Sequence, residues 1–376
     1  MDFALSPEQK RLRDTIRHIL QRELRPLVRE YESREAFPAH LFPTLGDAGL
    51  LSLSFPPQYG GRGGHLEVVL LTEEMARLAG GVCSGVLTHC IGASTISRFG
   101  TPQQVERFLL PALQGRKVCA IAITEPDHGS DVAGLETEAV REGDWWRLRG
   151  HKMFITNATH ADIFTVMCRT GQPGKHGISM VLVEKGSPGL VVDAPLKKLG
   201  WHSSDTTPVH FDDCLVPAEN LLGLEGRGFY QLMEGFVFER VIMAAMGVGA
   251  SQCALDSALS CARARGRAGQ NQPWSSTLRQ RLADMATQVE MARLVTYWAA
   301  WRADQDSGAT REAAAAKLFA SEVALRVAAQ AVGVLGEAGL LTVTDVARVW
   351  SDVNVLTIGG GTSEVMRNII ARALGL

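Results

Sequence analysis

The spacing of apolar residues changes twice along the chain, and this restricts the possible folds more than any single motif. Up to about Leu113 the spacing is helical, broken at Phe55-Pro56-Pro57-Gln58-Tyr59-Gly60-Gly61 and at Gly100-Thr101-Pro102. Ser6-Pro7-Glu8-Gln9 reads as a helix start: Ser6 caps, Pro7 suits the first helical position and Gln9 completes a capping box. Leu12, Ile16 and Ile19 follow at helical spacing. From Val118 to about Gly223 the apolar runs shorten to strand length, with Gly, Asp and Pro between them. Candidate strands are Val118–Ile123, Trp145–Gly150, Phe164–Met167, Ile178–Val183, Leu190–Val192 and Val209–Phe211. From about Gly226 the helical period returns, with a stripe of Leu282, Met285, Val289 and Ala292 and an alanine-rich helix from Arg311 to about Leu335. The expected class is α+β, with a helical domain over 1–116, a β domain over 117–225 and a second helical domain over 226–376.

Composition narrows the function classes. A chain of 376 residues with 46% apolar and 21% charged residues has the make-up of a globular protein with a large core. A formal net charge of -2 argues against a nucleic-acid binder. No uncharged apolar run of about 18 residues occurs, so no membrane span is expected. The segment Met1-Asp2-Phe3-Ala4 lacks the pattern of a secretory signal. The cysteines Cys83, Cys90, Cys119, Cys168, Cys214, Cys253 and Cys261 are odd in number and scattered, which suits free thiols in a reducing, cytoplasmic setting. No histidine pair has metal-site spacing, and no metal is expected.

Three stretches carry chemistry. Phe236–Met246 is an apolar helical run interrupted by Glu239 and Arg240. Adjacent helical residues do not share a face, so Arg240 is not an obvious ion-pair partner for Glu239. Desolvation would raise the pKa of such a carboxylate towards that of a useful general base. The alternative is a glutamate at the helix edge facing water. Ala122–Asp131 is a strand end running into a turn dense in hydroxyls and exposed amides, suited to a polar heterocycle or phosphates. Lys152–Asn157 places Phe154 and Thr156 two apart, on one face of a strand. There is no Walker loop and no nucleophile elbow, and Gly247-Val248-Gly249 lies inside a helical run.

In this order, these segments resemble the acyl-CoA dehydrogenase family over almost the whole chain. Tyr59-Gly60-Gly61, Val216–Gly223, Leu282-Ala283-Asp284-Met285 and Gly361-Thr362-Ser363-Glu364 add to the likeness. The resemblance implies a helical domain, a β-barrel and a four-helix bundle, with FAD where they meet. It implies FAD contacts from Ile121, Ile123, Thr124, Gly129, Ser130, Phe154, Thr156, Thr362 and Glu364. Arg265 would cross to the FAD of a partner subunit, which implies a homodimer or homotetramer. Ser130, Phe236, Arg240 and Gly361 would lie along the substrate. The implied substrate is acyl-CoA or an acyl-carrier-protein thioester, and the implied electron acceptor is electron transfer flavoprotein.

Most members carry the catalytic glutamate just before the late Gly-Thr, where this chain has Gly360. A smaller group, including isovaleryl-CoA and long-chain acyl-CoA dehydrogenases, places it on the helix before an Arg, and Glu239-Arg240 is similar to that pattern. The resemblance therefore implies Glu239 as base and the Gly360 N–H as a donor to the enolate oxygen. The chain departs from the family pattern at Ala268-Gly269, Ser275-Ser276, Gly333, Glu337 and Ser351, on the partner side of the FAD site, and at Val237 near the pantetheine. An enoyl-thioester reductase, a flavin oxidase or an acyl-carrier-protein-linked dehydrogenase of the same fold are the alternatives, together with a non-catalytic paralogue.

Overall fold

A computed structural model of the chain describes residues 4–62, 64–267, 276–305 and 308–376. Ala268, Gly269 and Ser275 lie outside the described residues. Ser6 and Gln9 form the expected reciprocal cap, at 3.0 and 3.1 Å, on α1 (Pro7–Glu23). The N-terminal part continues through α2 (Val28–Arg34), α3 (Leu41–Asp47), α4 (His65–Leu78) and α5 (Gly80–Phe99). Two short pieces, α6 (Pro102–Gln104) and α7 (Leu110–Leu113), close it. Leu12, Ile16 and Leu20 form the buried stripe of α1.

The middle of the chain forms an eight-stranded sheet. Its strands are β1 (Cys119–Ala122), β2 (Glu138–Glu142), β3 (Trp145–Ile155), β4 (Ile163–Arg169), β5 (Ile178–Glu184), β6 (Leu190–Val192), β7 (Thr207–Pro217) and β8 (Leu221–Leu222). The hydrogen-bonded order is β6-β7-β3-β2-β4-β5-β8, with β1 parallel to β4. β6 and β8 end this path and do not pair with each other, so the sheet is not closed and the expected barrel is replaced by an open sheet. Each expected strand is present. β2 had no sequence signal, because Glu-Ala-Val-Arg-Glu buries only Ala139.

The end of β3 corrects the simple alternation expected there. The register shifts between Lys152 and Ile155, and Phe154 has a φ of 61°. Thr156 lies beyond the strand, so Phe154 and Thr156 do not share a pleated face.

Among the described residues five α-helices follow: α8 (Gly228–Arg267), α9 (Ser276–Gln305), α10 (Thr310–Leu335), α11 (Asp345–Asp352) and α12 (Ser363–Ala373). α8, α9 and α10 pack on one another, and α11 and α12 close on α10. The stretch 310–340 is long and apolar enough by composition to cross a membrane. Its alanines Ala313, Ala316, Ala320, Ala324 and Ala328 are instead fully buried in the protein core. One apolar core joins α1, α4 and α5 to α8, α9 and α10, so the first and last helical parts are welded together. A second core fills the sheet and includes Trp146, Phe164 and Phe211. A third lies between the sheet, α5, α7 and the start of α8, and Ile121, Ile123 and Phe236 pack at its edge. That third core brings the end of β1 and the first turns of α8 to one place.

Candidate active site

The end of β1 is held from below. Lys152 is fully buried, and its Nζ donates to Ile123 O at 3.0 Å and to Glu125 Oε1 at 2.8 Å. Glu125 also accepts from the amides of Glu136 at 2.6 Å and Thr137 at 2.9 Å. Burial pushes the Glu125 carboxyl up, but the Lys152 charge and these donors outweigh it, and its pKa falls to about 2. The amide of Met153 donates to Thr124 O at 2.8 Å, tying β3 to the same segment. Ile121, Ile123, Thr124 and Thr156 are half-buried, while Gly129 and Ser130 are exposed.

Phe154 presents its ring outward at 61% exposure from a left-handed backbone conformation. A large aromatic held both strained and exposed is spent on something other than packing. Next to it, Asn157 is buried with a φ of 67°. Its Nδ2 donates to Gly85 O and Cys119 O, and its N–H donates to Asp205 Oδ1 at 2.9 Å. Asn157 and Asp205 thus fix the bend after β3. The sequence showed Asn157 but gave Asp205 no signal, because its partners are far along the chain.

Glu239 and Gly360 meet on the helical side of the molecule. A Cβ placed on Gly360 would lie 3.4 Å from Glu239 Oε1 and 3.0 Å from Met243 Cγ. Glu239 on α8 is half-buried, not turned out to water. Burial raises its pKa, opposed by the charges of Arg240 and Lys317. Arg240 is buried, and its guanidinium lies 5.1 Å over the Phe236 ring, one turn earlier. Gly360 and Gly361 have φ of 63° and 91°, a left-handed turn that suits glycine. Thr362 then caps α12 by accepting from Val365 N at 3.2 Å.

Lys317, on α10, was missed by the sequence reading. It is fully buried, and its Nζ donates to the Gly361 carbonyl. Its signal was the one that exposed Glu239, a charge inside an apolar run.

Thr362 and Glu364 line an open cleft of about 490 Å³ together with Arg326, Ile358 and Arg367. Arg265 is elsewhere. It lies 26 residues along α8 from Glu239, about 39 Å at helical rise. Its guanidinium donates to Val334 O and Leu335 O at the end of α10. Gly333 and Glu337 are exposed beside it. Among the described residues, no cluster of three metal-ligating side chains occurs.

Three family models match in series: the acyl-CoA dehydrogenase N-terminal domain at 6–116, the middle domain at 120–214 and the C-terminal domain at 226–375. The chain belongs to the acyl-CoA dehydrogenase family. It is 36% identical to a probable acyl-CoA dehydrogenase of Bacillus subtilis, covering 100% of both chains. It is 35% identical to the mitochondrial isovaleryl-CoA dehydrogenase of Pongo abelii, over 98% of this chain and 89% of that one. The structure of butyryl-CoA dehydrogenase from Megasphaera elsdenii superposes with a TM-score of 0.95 at 34% identity, covering 100% of each chain. A chain in the electron transferring flavoprotein structure of Acidaminococcus fermentans gives 0.96 at 35%, covering 100% of this chain and 99% of that one. The FAD complex of PigA gives 0.95 at 28%, covering 100% of each chain. The acyl-CoA dehydrogenase described here is thus a flavoprotein oxidoreductase acting on the CH–CH bond of acyl-CoA, with FAD as cofactor.

The residues present fit that group. An exposed, strained aromatic faces outward at Phe154, and a Cβ on Gly129 would meet nothing within 4 Å. The open cleft at Thr362 and Glu364 is large enough to take part of a dinucleotide.

Proposed function

We propose that Glu239 is the base of an α,β-dehydrogenation of an acyl thioester. The observation that carries this reading is the 3.4 Å separation between Glu239 Oε1 and the point where a side chain at Gly360 would begin. A carboxylate borne by α8 reaches the space that a carboxylate at 360 would fill in most relatives. Glu239 takes the α-proton, and that C–H electron pair becomes the new C=C bond as the β-hydrogen leaves as hydride. FAD, when bound, supplies the hydride acceptor. Negative charge develops on the thioester oxygen, and the Gly360 N–H donates to it; a donor fixed in advance at that point lowers the barrier most.

Phe154, Ile121, Ile123, Thr124 and Thr156 would hold the flavin ring, Gly129 and Ser130 the pyrophosphate side, and Thr362 and Glu364 the adenosine side. Phe236, Arg240, Ser130 and Gly361 would line the acyl-thioester path. Glycine at 360 leaves room for a branched or bulky acyl chain.

The division into 1–116, 117–225 and 226–376 is kept in this proposal, with α8, α9, α10 and α12 as the four-helix bundle and the open sheet in the place of the barrel. Homodimers, paired into a tetramer, would bring Arg265 to the partner's FAD; its placement far from Glu239 along α8 favours that over a role in its own site. Electron transfer flavoprotein is the proposed acceptor. A cytoplasmic setting suits seven cysteines that are all free.

The test is anaerobic mixing of the holoenzyme with straight and branched acyl-CoA thioesters while the flavin band is followed. Bleaching by the wild type and none by Glu239→Gln supports the reading. Bleaching of Glu239→Gln at the wild-type rate eliminates Glu239 as base.

A further inference from the structure

We propose that Lys317 is a positioning residue of this reaction: its ammonium pins the Gly360–Gly361 turn, beside Glu239, through the Gly361 carbonyl. The inference rests on the reading of Glu239 as base.

The argument begins with burial. Lys317 is 0% exposed, in the second turn of α10 among Ala314, Ala316 and Ala320. An ammonium taken out of water without compensation is strongly destabilising, so its position needs a reason. Its hydrogen bond runs to the Gly361 carbonyl, across the gap between α10 and the segment before α12. No carboxylate closes to ion-pair distance on it among the described residues. The charged groups around it are Glu239 and Arg240 on α8 and Glu364 on α12. Those around Glu239 are Arg240 and Lys317.

Two consequences follow from that placement. The first is geometric. Two consecutive glycines in left-handed conformations form the least restrained segment a chain can have. A donor reaching in from a helix packed in the core restrains the turn at Gly361, and the Gly360 N–H belongs to that turn. The second is electrostatic. Burial draws the Lys317 ammonium down to about 8, with Glu239 opposing that shift, so near neutral pH the lysine still carries its charge for most of the time. That charge lowers the pKa of Glu239 against its own desolvation. A base too strongly desolvated would be protonated at working pH and useless; Arg240, and after it Lys317, oppose that rise.

The experiment compares wild type, Lys317→Met, Lys317→Gln and Lys317→Arg as FAD-loaded proteins. Methionine matches the length and suits a buried apolar site; glutamine retains a donor but no charge; arginine retains the charge. Two quantities are read against pH: kcat/KM, and the exchange of thioester α-protons into D2O by NMR with no electron acceptor present. The second follows the α-proton itself, with the bound FAD as the only hydride acceptor. In the two neutral variants the acid limb of both profiles is expected to move up by about one pH unit. In Lys317→Arg the limb stays at the wild-type position. A limb in Lys317→Met and Lys317→Gln that superimposes on the wild type overturns the proposal. Glu239→Gln is the control that separates the two claims. If α-proton exchange survives at the wild-type rate in Glu239→Gln, the base assignment itself falls. If exchange is lost there and the limb does not move in the Lys317 variants, only the role of Lys317 falls.

Discussion

Replacing Glu239 by Gln removes one negative charge from the interior of α8 and leaves the shape of the side chain nearly unchanged. Two results are expected. Turnover falls by about 10²–10⁴-fold, the range a positioned general base supplies, with KM little affected. Stability changes in the opposite sense. Burial raises the folded-state pKa of Glu239 above its ordinary value, so between those two values the folded protein binds more protons than the unfolded chain. Stability therefore falls as pH rises through that window. Glu239→Gln should melt at a higher temperature than wild type at pH 7–8, and the gain should shrink as pH drops towards the ordinary carboxylate range. Thermal scans at several pH values check this, and a variant that melts lower throughout contradicts it. Glu239 could be read in the sequence because a charge stood out in the run Phe236–Met246. Lys317 offered the same signal, but a single lysine in an alanine-rich helix also suits a side chain whose stem is buried and whose head reaches water. Only the packing of α10 against the Gly361 segment tells the two apart.

Strands show where sequence reasoning holds and where it stops. β1, β4 and β5 were readable because nearly every residue in them is buried and apolar. β2 was not, since it lies mostly exposed and is held by pairing with β3, a partner chosen by tertiary structure. The bend at Phe154 was hidden as well: phenylalanine favours strands, and nothing local announces a positive φ. The brace beneath this bend can be tested. Lys152→Met leaves Glu125 buried without its cation, and breaking a buried pair in this way costs about 3–5 kcal/mol. Urea unfolding should show that loss, and the purified variant should retain less FAD if the β1 end meets the flavin as proposed, because Lys152 also holds the Ile123 carbonyl there. A companion result concerns pH. The folded-state pKa of Glu125 is held at about 2, below its ordinary 4.5. The stability it contributes is present above the ordinary value and is lost as pH falls from there towards 2. The wild-type melting temperature should drop across that interval, and in Lys152→Met the drop should be smaller. An equal drop in both proteins would show that Lys152 does not set the Glu125 titration.

The helical–β–helical order of the whole molecule could be read because a period of 3.6 and one of 2 are local properties. The open sheet and the core shared by α1, α4, α8 and α10 could not, because both depend on contacts between distant parts of the chain. The same limit applies to assembly, where the structure adds two apolar faces. Leu340, Leu341 and Val343 are exposed just beyond the end of α10, where Arg265 docks. Met291, Leu294, Trp298 and Trp301 stand exposed at helical spacing along α9. Large exposed tryptophans and leucines in such groups mark surfaces that other chains cover. If Arg265 serves a partner's FAD, the first face should hold the dimer and the second should pair dimers. Leu341→Asp should then yield smaller particles in sedimentation velocity and lose FAD on gel filtration. Trp298→Glu combined with Trp301→Glu should halve the tetramer and leave the flavin absorbance per chain unchanged. The split between the two variants is the decisive reading, because general destabilisation would lower FAD content in both. A wild type that sediments as a monomer with FAD fully bound would leave Arg265 as no more than a cap on the last carbonyls of α10.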